Sequence, residues 1–92
     1  GFDRRISLKK FTYLVKDAGG LHARPAGLLV KCAQSCSSAV KISKGGKSAD
    51  AKKLFAVMSL GAKQNDEVTI EVEGANEAVD CTTLQDFCAK NL

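Results

Sequence analysis

Alternation of hydrophobic and polar residues marks one strand clearly and three more by weaker patterns. In Glu67–Glu73, the side chains of Val68, Ile70 and Val72 share one face of an extended chain, and the residues between them are polar. A glycine turn at residues 44–46 joins two shorter β-rich runs into a hairpin. The predicted strands are residues 9–16, 39–43, 47–51 and 67–73.

Apolar residues recur at helical spacing in three other segments. In the first of these, Pro25 falls in the first turn, where its missing N–H costs nothing. Gly61 is placed to end a second, short helix, and Asn76 to begin a third. The predicted helices are residues 23–36, 54–60 and the segment after Asn76. Their expected buried stripes are Ala26, Leu29, Val30, Ala33 and Cys36 in the first helix and Ala78, Cys81, Leu84 and Cys88 in the last.

The order of these segments is β-α-β-β-α-β-α. Strands that alternate strictly keep one face in water, which is typical of antiparallel sheets, and the helices then cover the other face. The sequence therefore predicts an α+β fold, an open-faced two-layer sandwich of a four-stranded antiparallel sheet and three helices. A chain of 92 residues suffices for a single domain, which we assign to residues 9–92. Residues 1–8 show no clear period, and we interpret them as a cloning remnant or an extension.

The composition is that of a globular domain, with 45% hydrophobic and 26% charged residues. The longest uncharged apolar stretch, residues 25–30, is far shorter than the ~20 residues of a membrane span. No secretory signal is evident. We therefore expect a cytoplasmic protein, not inserted in a membrane, and a monomer.

A net charge of +4 raises the question of nucleic-acid binding. The basic residues are spread along the chain, however, and aromatic residues make up only 5% of it. A protein that binds single-stranded nucleic acid usually combines a basic groove with aromatic platforms. We expect no nucleic acid as partner, and instead a basic surface that assists encounters with acidic proteins.

The chain has four cysteines, two of which, Cys32 and Cys36, lie one helical turn apart. Some metal sites use this spacing, but the other two cysteines are seven residues apart and do not complete a zinc pattern. A disulfide framework would fit a secreted protein. Because reduced cysteine packs as a small hydrophobic residue, we expect Cys36, Cys81 and Cys88 in the core, with no metal and no cofactor.

His22, the only histidine, lies at the predicted junction of a loop and the first helix. The first amides of a helix have no partner within it, and the helix dipole attracts an anion there. Arg24 adds a guanidinium that suits phosphate oxygens. The same field disfavours a protonated ring, so we expect a mostly neutral, nucleophilic imidazole near pH 7. A solvated histidine without a function remains the alternative from these residues alone.

The segment Gly20-Leu-His22-Ala-Arg24-Pro-Ala26 resembles the active-site signature of the HPr family, the histidine phosphocarriers of the bacterial phosphoenolpyruvate:sugar phosphotransferase system. A second block, residues 57–62 followed by residues 66–70, resembles a later segment of that family. The spacing between the two blocks and the order of elements also match, and the resemblance covers residues 9–92. It implies a phosphotransfer intermediate, rather than a stand-alone enzyme, that takes a phosphoryl group from enzyme I and passes it to an enzyme IIA domain in sugar uptake.

Individual roles follow from this resemblance. His22 matches the histidine that the family phosphorylates at Nδ1, and Arg24 matches the arginine that balances the phosphate charge. The free amide of Ala23, expected at the helix start, completes the predicted phosphate site. The family's docking surface combines the exposed side of the first helix with the short second helix. The matching positions here are Ala26, Gly27, Lys31, Leu54 and Phe55.

Two positions depart from the family pattern. Many HPr proteins carry a regulatory serine at the start of the short helix, and Lys53 stands there instead, so that regulation is not carried over. Gly19 stands where the family often has a small polar side chain, which leaves the orientation of the histidine ring open.

Two other functions remain as alternatives. One is an HPr paralogue that serves a regulatory or nitrogen-related phosphotransferase branch. The other is a non-catalytic regulatory module that docks onto another protein, which would need neither His22 nor Arg24.

Overall fold

The computed structural model describes residues 8–91, and in this part of the chain a four-stranded antiparallel sheet packs against three helices. The predicted order of elements and the α+β fold are confirmed. In chain order the elements are β1 (Leu8–Leu14), α1 (Ala23–Gln34), β2 (Ala39–Lys44), β3 (Lys47–Asp50), α2 (Leu54–Met58), β4 (Glu67–Glu73) and α3 (Glu77–Asn91).

The sheet has the order β1-β4-β2-β3, so the strand with the clearest alternation, β4, lies inside it. Ile70 on β4 pairs with Phe11 of β1 on one side and with Ile42 of β2 on the other. Val68, Ile70 and Val72 are buried at 2% exposure or less, as the alternation predicted. The helices cover this apolar face of the sheet, and the other face carries the polar residues.

Helix α1 buries the predicted stripe but ends at Gln34, two residues earlier than expected. The N–H of Ser35 donates to the carbonyls of both Lys31 and Cys32, at 3.3 and 3.1 Å. The shorter bond, to the residue three positions earlier, is typical of the tighter turn with which a helix ends. Helix α2 also ends two residues early, at Met58, because the following residues form tighter turns up to Gly61, whose φ is +67°.

The prediction for α3 was wrong at its first turn. Ala78 is exposed, and the buried position of that turn is Asp80, at 8% exposure. Asn76 precedes α3 as predicted, because the helix begins at Glu77 and the Asn76 carbonyl accepts the N–H of Asp80 at 2.9 Å. The Asn76 side chain donates to the hydroxyl of Ser37 at 2.8 Å. Cys81, Leu84 and Cys88 are buried as expected.

Strand β1 begins one residue earlier than predicted, because Leu8 pairs with Glu73. This places Leu8 in the sheet, although it was assigned to the segment before the domain. The rest of that predicted remnant or extension, residues 1–7, lies outside the described residues, as does Leu92. Strand β1 also stops at Leu14, two residues earlier than expected.

Three of the four cysteines were predicted to lie in the core, and all three do. Cys36, Cys81 and Cys88 are buried, Cys32 is partly exposed, and none of the four is in a disulfide. Burial raises the pKa of all four thiols, that of Cys88 to about 12. They are therefore protonated at neutral pH, which suits packing in the core. No described helix has the length and apolar character needed to cross a membrane.

Asp80 joins the start of α3 to the segment before β2. Its Oδ2 accepts the N–H of Ser38 at 3.0 Å. The Ser38 hydroxyl lowers the pKa of Asp80 most, although it is not aligned for a full hydrogen bond, and the Ser38 N–H lowers it further. Burial of the carboxylate acts in the opposite direction. Because the folded pKa lies below the ordinary value of 3.8, the contribution to stability is present at neutral pH and is lost as pH falls through the folded pKa.

We expect Asp80→Asn to lower the free energy of unfolding by about 1–3 kcal/mol at pH 7, since a charged acceptor is lost from a buried site. Below pH 3.8 the difference from the parent should shrink. Urea denaturation at pH 7 and at acid pH measures both values. Asp86→Asn, at an exposed position of the same helix, is the control, and a difference for Asp80→Asn that does not depend on pH would contradict the prediction.

Candidate functional site

The loop between β1 and α1 is held in a compact turn just before His22. The backbone carbonyl of Asp17 accepts the N–H of Gly20 at 2.9 Å, and its carboxylate Oδ1 accepts the N–H of Gly19 at 2.8 Å. Gly20 has a φ of +72°, a conformation that favours glycine. Buried Leu21 then donates its N–H to the carbonyl of Ala62 at 2.9 Å. These contacts fix the direction in which the chain enters α1.

His22 is the N-cap residue of α1. Its backbone is extended (φ −85°, ψ −171°), and its carbonyl accepts the first helical hydrogen bond, from Ala26 N–H at 2.9 Å. The imidazole, however, forms no capping hydrogen bond, and the first turn contains no acidic residue. The ring is 47% exposed and so is accessible from solution. The helix thus begins with a reactive side chain beside amides that lack an intrahelical acceptor.

A carboxylate that the sequence analysis did not anticipate lies beside the imidazole. Nε2 of His22 is 3.5 Å from Oδ1 of Asp17, and the carboxylate is about as exposed as the ring. The neutral ring was predicted from the helix dipole and Arg24 alone, and the negative charge of this carboxylate also acts on the ring. The sequence did contain a signal for this carboxylate. Asp17 lies two residues before Gly19, and this spacing is typical of an Asx turn, which would hold the Asp17 side chain near the loop before His22.

Arg24 is the second residue of α1 and is exposed, as is Ala23. The structure therefore brings His22, Ala23 and Arg24 together within the first turn, at the positive end of the helix dipole. Such an end, with amide donors and a guanidinium close by in the chain, is suited to a doubly charged phosphoryl group.

Comparison with known proteins agrees with this geometry. The family model described as "PTS HPr component phosphorylation site" matches residues 9–90. The chain belongs to the HPr family. It is therefore a phosphocarrier of the phosphotransferase system, as the resemblance of its two sequence blocks implied.

Relatives in the HPr family match over most of their length. The chain is 35% identical to the phosphocarrier protein HPr of Mycoplasma genitalium over 85 residues, which cover 91% of this chain and 97% of that protein. It is 47% identical to HPr of Buchnera aphidicola over 68 residues, which cover 74% and 80% of the two chains.

Solved HPr structures also share the fold. An HPr structure from Thermoanaerobacter tengcongensis superposes with a TM-score of 0.84 at 36% identity, covering 90% of this chain and 93% of that one. An HPr structure from Bacillus anthracis gives a TM-score of 0.81 at 29% identity, covering 89% and 98%.

One residue of the predicted docking surface is buried in the structure of this HPr-family chain. Ala26 is fully buried at 0% exposure, because it belongs to the apolar stripe that α1 packs against the sheet. Its side chain cannot meet a partner. Leu28, which the sequence analysis did not name, is 43% exposed on the same helix.

The exposed side of α1 begins at the site itself. Gly27, Leu28 and Lys31 lie three, four and seven residues after Arg24, and so the four residues share one face of the helix. None of the four is buried. This face, defined here as the α1 outer face, starts two residues after His22.

Helix α2 lies next to α1. The side chain of Gln34 donates to the carbonyl of Lys52 at 2.9 Å, and Nζ of Lys52 donates to the carbonyl of Cys36 at 3.1 Å. On α2, Phe55 is 81% exposed, whereas Leu54 is partly buried against the core. Phe55 therefore does not cover the edge of the core. Lys53 is the N-cap of α2 and is exposed.

Nothing in the described part of the chain resembles a metal centre. Among residues 8–91, no group of three or more histidine, cysteine, aspartate or glutamate side chains is arranged to hold a metal ion.

Proposed function

We propose that this phosphocarrier bears its phosphoryl group on His22, receives it from enzyme I, and gives it to enzyme IIA domains during sugar uptake. One observation carries the proposal: a half-exposed imidazole stands at the N-cap of α1 without forming a capping hydrogen bond. A cap residue usually gives its side chain to the first amides of the helix. Here those amides remain available for an anion attached to the ring.

The transfer is a displacement at phosphorus. The lone pair of a ring nitrogen of His22 forms a bond to phosphorus, and the bond between phosphorus and the donor breaks, with its electron pair remaining on the donor. The backbone amides of Ala23 and Arg24 and the Arg24 guanidinium stabilise the charge on the phosphoryl oxygens. Transfer to the next protein runs through the same steps, with His22 as leaving group.

The docking surface that we propose consists of the α1 outer face together with Leu54 and Phe55. Its exposed apolar side chains, Leu28 and Phe55, share the surface with the exposed basic residues Arg24 and Lys31, which suits a brief encounter with an acidic partner surface. We propose that the chain acts in the cytoplasm as a monomer. A dimeric HPr structure from Thermoanaerobacter tengcongensis is among the structures that resemble it, with a TM-score of 0.71, so sedimentation is the appropriate check.

Phosphoenolpyruvate and enzyme I, added to the full chain, test this proposal directly. We expect the intact mass to rise by about 80 Da, the mass of one phosphoryl group, and the group to be lost in acid, as phosphohistidine is. Fragmentation should assign the modification to His22. An acid-stable product, or a modification on another residue, would contradict the proposal.

Arg24→Ala should slow phosphoryl transfer about 10- to 100-fold, the equivalent of losing a charge-assisted hydrogen bond worth roughly 1.5–3 kcal/mol. Stability should change by less than about 1 kcal/mol, because the side chain is exposed. Single-turnover transfer from phospho-enzyme I measures the rate. Lys47→Ala, in the β2–β3 hairpin, removes the same charge at a distance in the fold and should transfer at the parental rate. Equal rates for Arg24→Ala and the parent would remove Arg24 from the mechanism.

Phe55→Ala should raise the KM for this chain as substrate of enzyme I about tenfold, since an exposed aromatic residue at the centre of an interface is often worth more than 1 kcal/mol. The free energy of unfolding should stay within about 0.5 kcal/mol of the parent. Val79 is a matched control, because it is also apolar and 67% exposed but lies on α3. A KM that rises equally in Phe55→Ala and Val79→Ala would argue against docking through α2.

Lys53 occupies the position of the family's regulatory serine. A lysine offers no hydroxyl to a serine kinase, and we propose no regulation by phosphorylation at the start of α2.

A further inference from the structure

We propose that Asp17 is a positioning residue for phosphoryl transfer, which holds the His22 ring by its Nε2 side and leaves Nδ1 to accept the phosphoryl group. This inference rests on the proposed function of His22. It is carried by two independent features of the loop before α1: the place of the Asp17 carboxylate and the absence of a side chain at Gly19.

The Asp17 carboxylate is held in place by the loop itself. Its Oδ1 accepts the N–H of Gly19 at 2.8 Å, which fixes the side chain in an Asx turn. The same oxygen lies 3.5 Å from Nε2 of His22. This distance is longer than a hydrogen bond, but a small rotation of the ring shortens it, and such contacts often tighten only when the reaction proceeds.

Gly19 provides the space in which the ring lies. A Cβ atom at this position would be 2.6 Å from Cδ2 and 2.9 Å from Nε2 of His22, closer than unbonded atoms approach. The backbone of Gly19 is not in the left-handed region, unlike that of Gly20, so the chain conformation alone does not require glycine there. The place of the ring beside Asp17 does require it.

The two ring nitrogens therefore have different surroundings. Nε2, at the far end of the ring, faces the carboxylate. Nδ1 is bonded to Cγ and so is the ring nitrogen nearer the backbone of His22, the residue from which α1 begins. A carboxylate near Nε2 favours the tautomer with hydrogen on Nε2, which leaves the lone pair on Nδ1.

This arrangement also matches the charges that the transfer creates. When Nδ1 bonds to phosphorus and the donor keeps the electron pair of the broken bond, the hydrogen on Nε2 stays in place and the ring becomes positively charged. The Asp17 carboxylate then faces the positive ring, and the helix end faces the negative phosphoryl group. Asp17 should therefore stabilise the phosphorylated form more than the free one.

The experiment measures the phosphotransfer equilibrium between enzyme I and the full chain for the parent, Asp17→Asn, Gly19→Ala and the double variant. Asp17→Asn keeps an oxygen that can accept the Gly19 N–H, and Gly19→Ala forces the ring away from the carboxylate. Each should shift the equilibrium towards phospho-enzyme I by about two- to fivefold, the range expected for one partly exposed pair. Because both remove the same contact, the double variant should be no worse than either single variant.

Asp50→Asn is the matched control, because Asp50 Oδ1 accepts the N–H of Lys52 at 2.9 Å in a similar turn. It should leave the equilibrium unchanged. A second readout is the nuclear Overhauser effect between the His22 ring proton on Cδ2 and the Gly19 α protons, which Gly19→Ala should remove even if the variant is less stable. Parental equilibria in both single variants, or effects that simply add in the double variant, would overturn the inference while His22 is still phosphorylated. A parent that accepts no phosphoryl group on His22 would instead contradict the proposed function.

Discussion

His22→Ala is expected to fold with nearly the stability of the parent and to accept no phosphoryl group from phospho-enzyme I. Replacing an N-cap side chain by alanine normally costs about 0.5–2 kcal/mol, because the cap accepts an amide hydrogen bond. His22 accepts none with its side chain, and its ring is half exposed, so little is lost. Urea denaturation and intact mass after incubation with phosphoenolpyruvate and enzyme I measure the two properties.

A second substitution at the same position sharpens this test. Asparagine caps helices well, so His22→Asn should be more stable than the parent by about 1 kcal/mol, and it should be equally inactive. Such a result would show that the chain gives up helix stability at the point where its chemistry occurs. A phosphorylated product of about 80 Da in either variant would mean that another residue carries the group.

Gly20→Ala is expected to lower the free energy of unfolding by about 3 kcal/mol or more. The left-handed φ of +72° costs a residue with a Cβ atom about 1–2 kcal/mol. The added Cβ would also meet backbone that cannot move away freely: it would lie against the carbonyl oxygen of Ala62 and 2.8 Å from Cα of Lys63. Overpacking of this kind typically adds about 1–3 kcal/mol.

Gly61→Ala separates the two effects. Gly61 has nearly the same φ, +67°, but a Cβ there would have no atom within 4 Å. It should therefore show only the cost of the backbone conformation, and urea midpoints of the two variants give the difference. If Gly61→Ala is as damaging as Gly20→Ala, the contact with residues 62–63 is not what makes Gly20 necessary. Loss of His22 phosphorylation should accompany the Gly20 change, since the loop would be displaced from its anchor.

The sequence predicted the order and type of every element because its hydrophobic pattern agrees with its turn residues. Strand β4 has the predicted bounds, since strict alternation and the flanking turns point to the same residues. The errors lie at ends of elements, where local hydrogen bonds decide. Ser35 closes α1 by bonding to two carbonyls, and no period of hydrophobic residues reports such a contact.

Only those parts of the candidate site that depend on neighbouring residues in the sequence were predicted. The signature around His22 placed the histidine at a helix start, and the structure has it at the N-cap. The pattern did not show that Asp80 is buried, because a paired carboxylate behaves as a core residue only once its partner, Ser38, is known. Ala26 was assigned to the docking surface although it is buried, because α1 both packs against the sheet and presents an exposed side. The resemblance named the helix and did not separate these two sides.

The missing side-chain capping bond at the start of α1 affects the free energy of phosphoryl transfer to this chain. A helix start without a side-chain capping bond has amide donors left over, and a phosphoryl group held there would accept hydrogen bonds from them. Part of the free energy of phosphoryl transfer would then be stored as folding energy of this chain rather than in the phosphorus–nitrogen bond alone. Substitutions that change the start of α1 without altering the imidazole would then shift the equilibrium between the free and the phosphorylated chain.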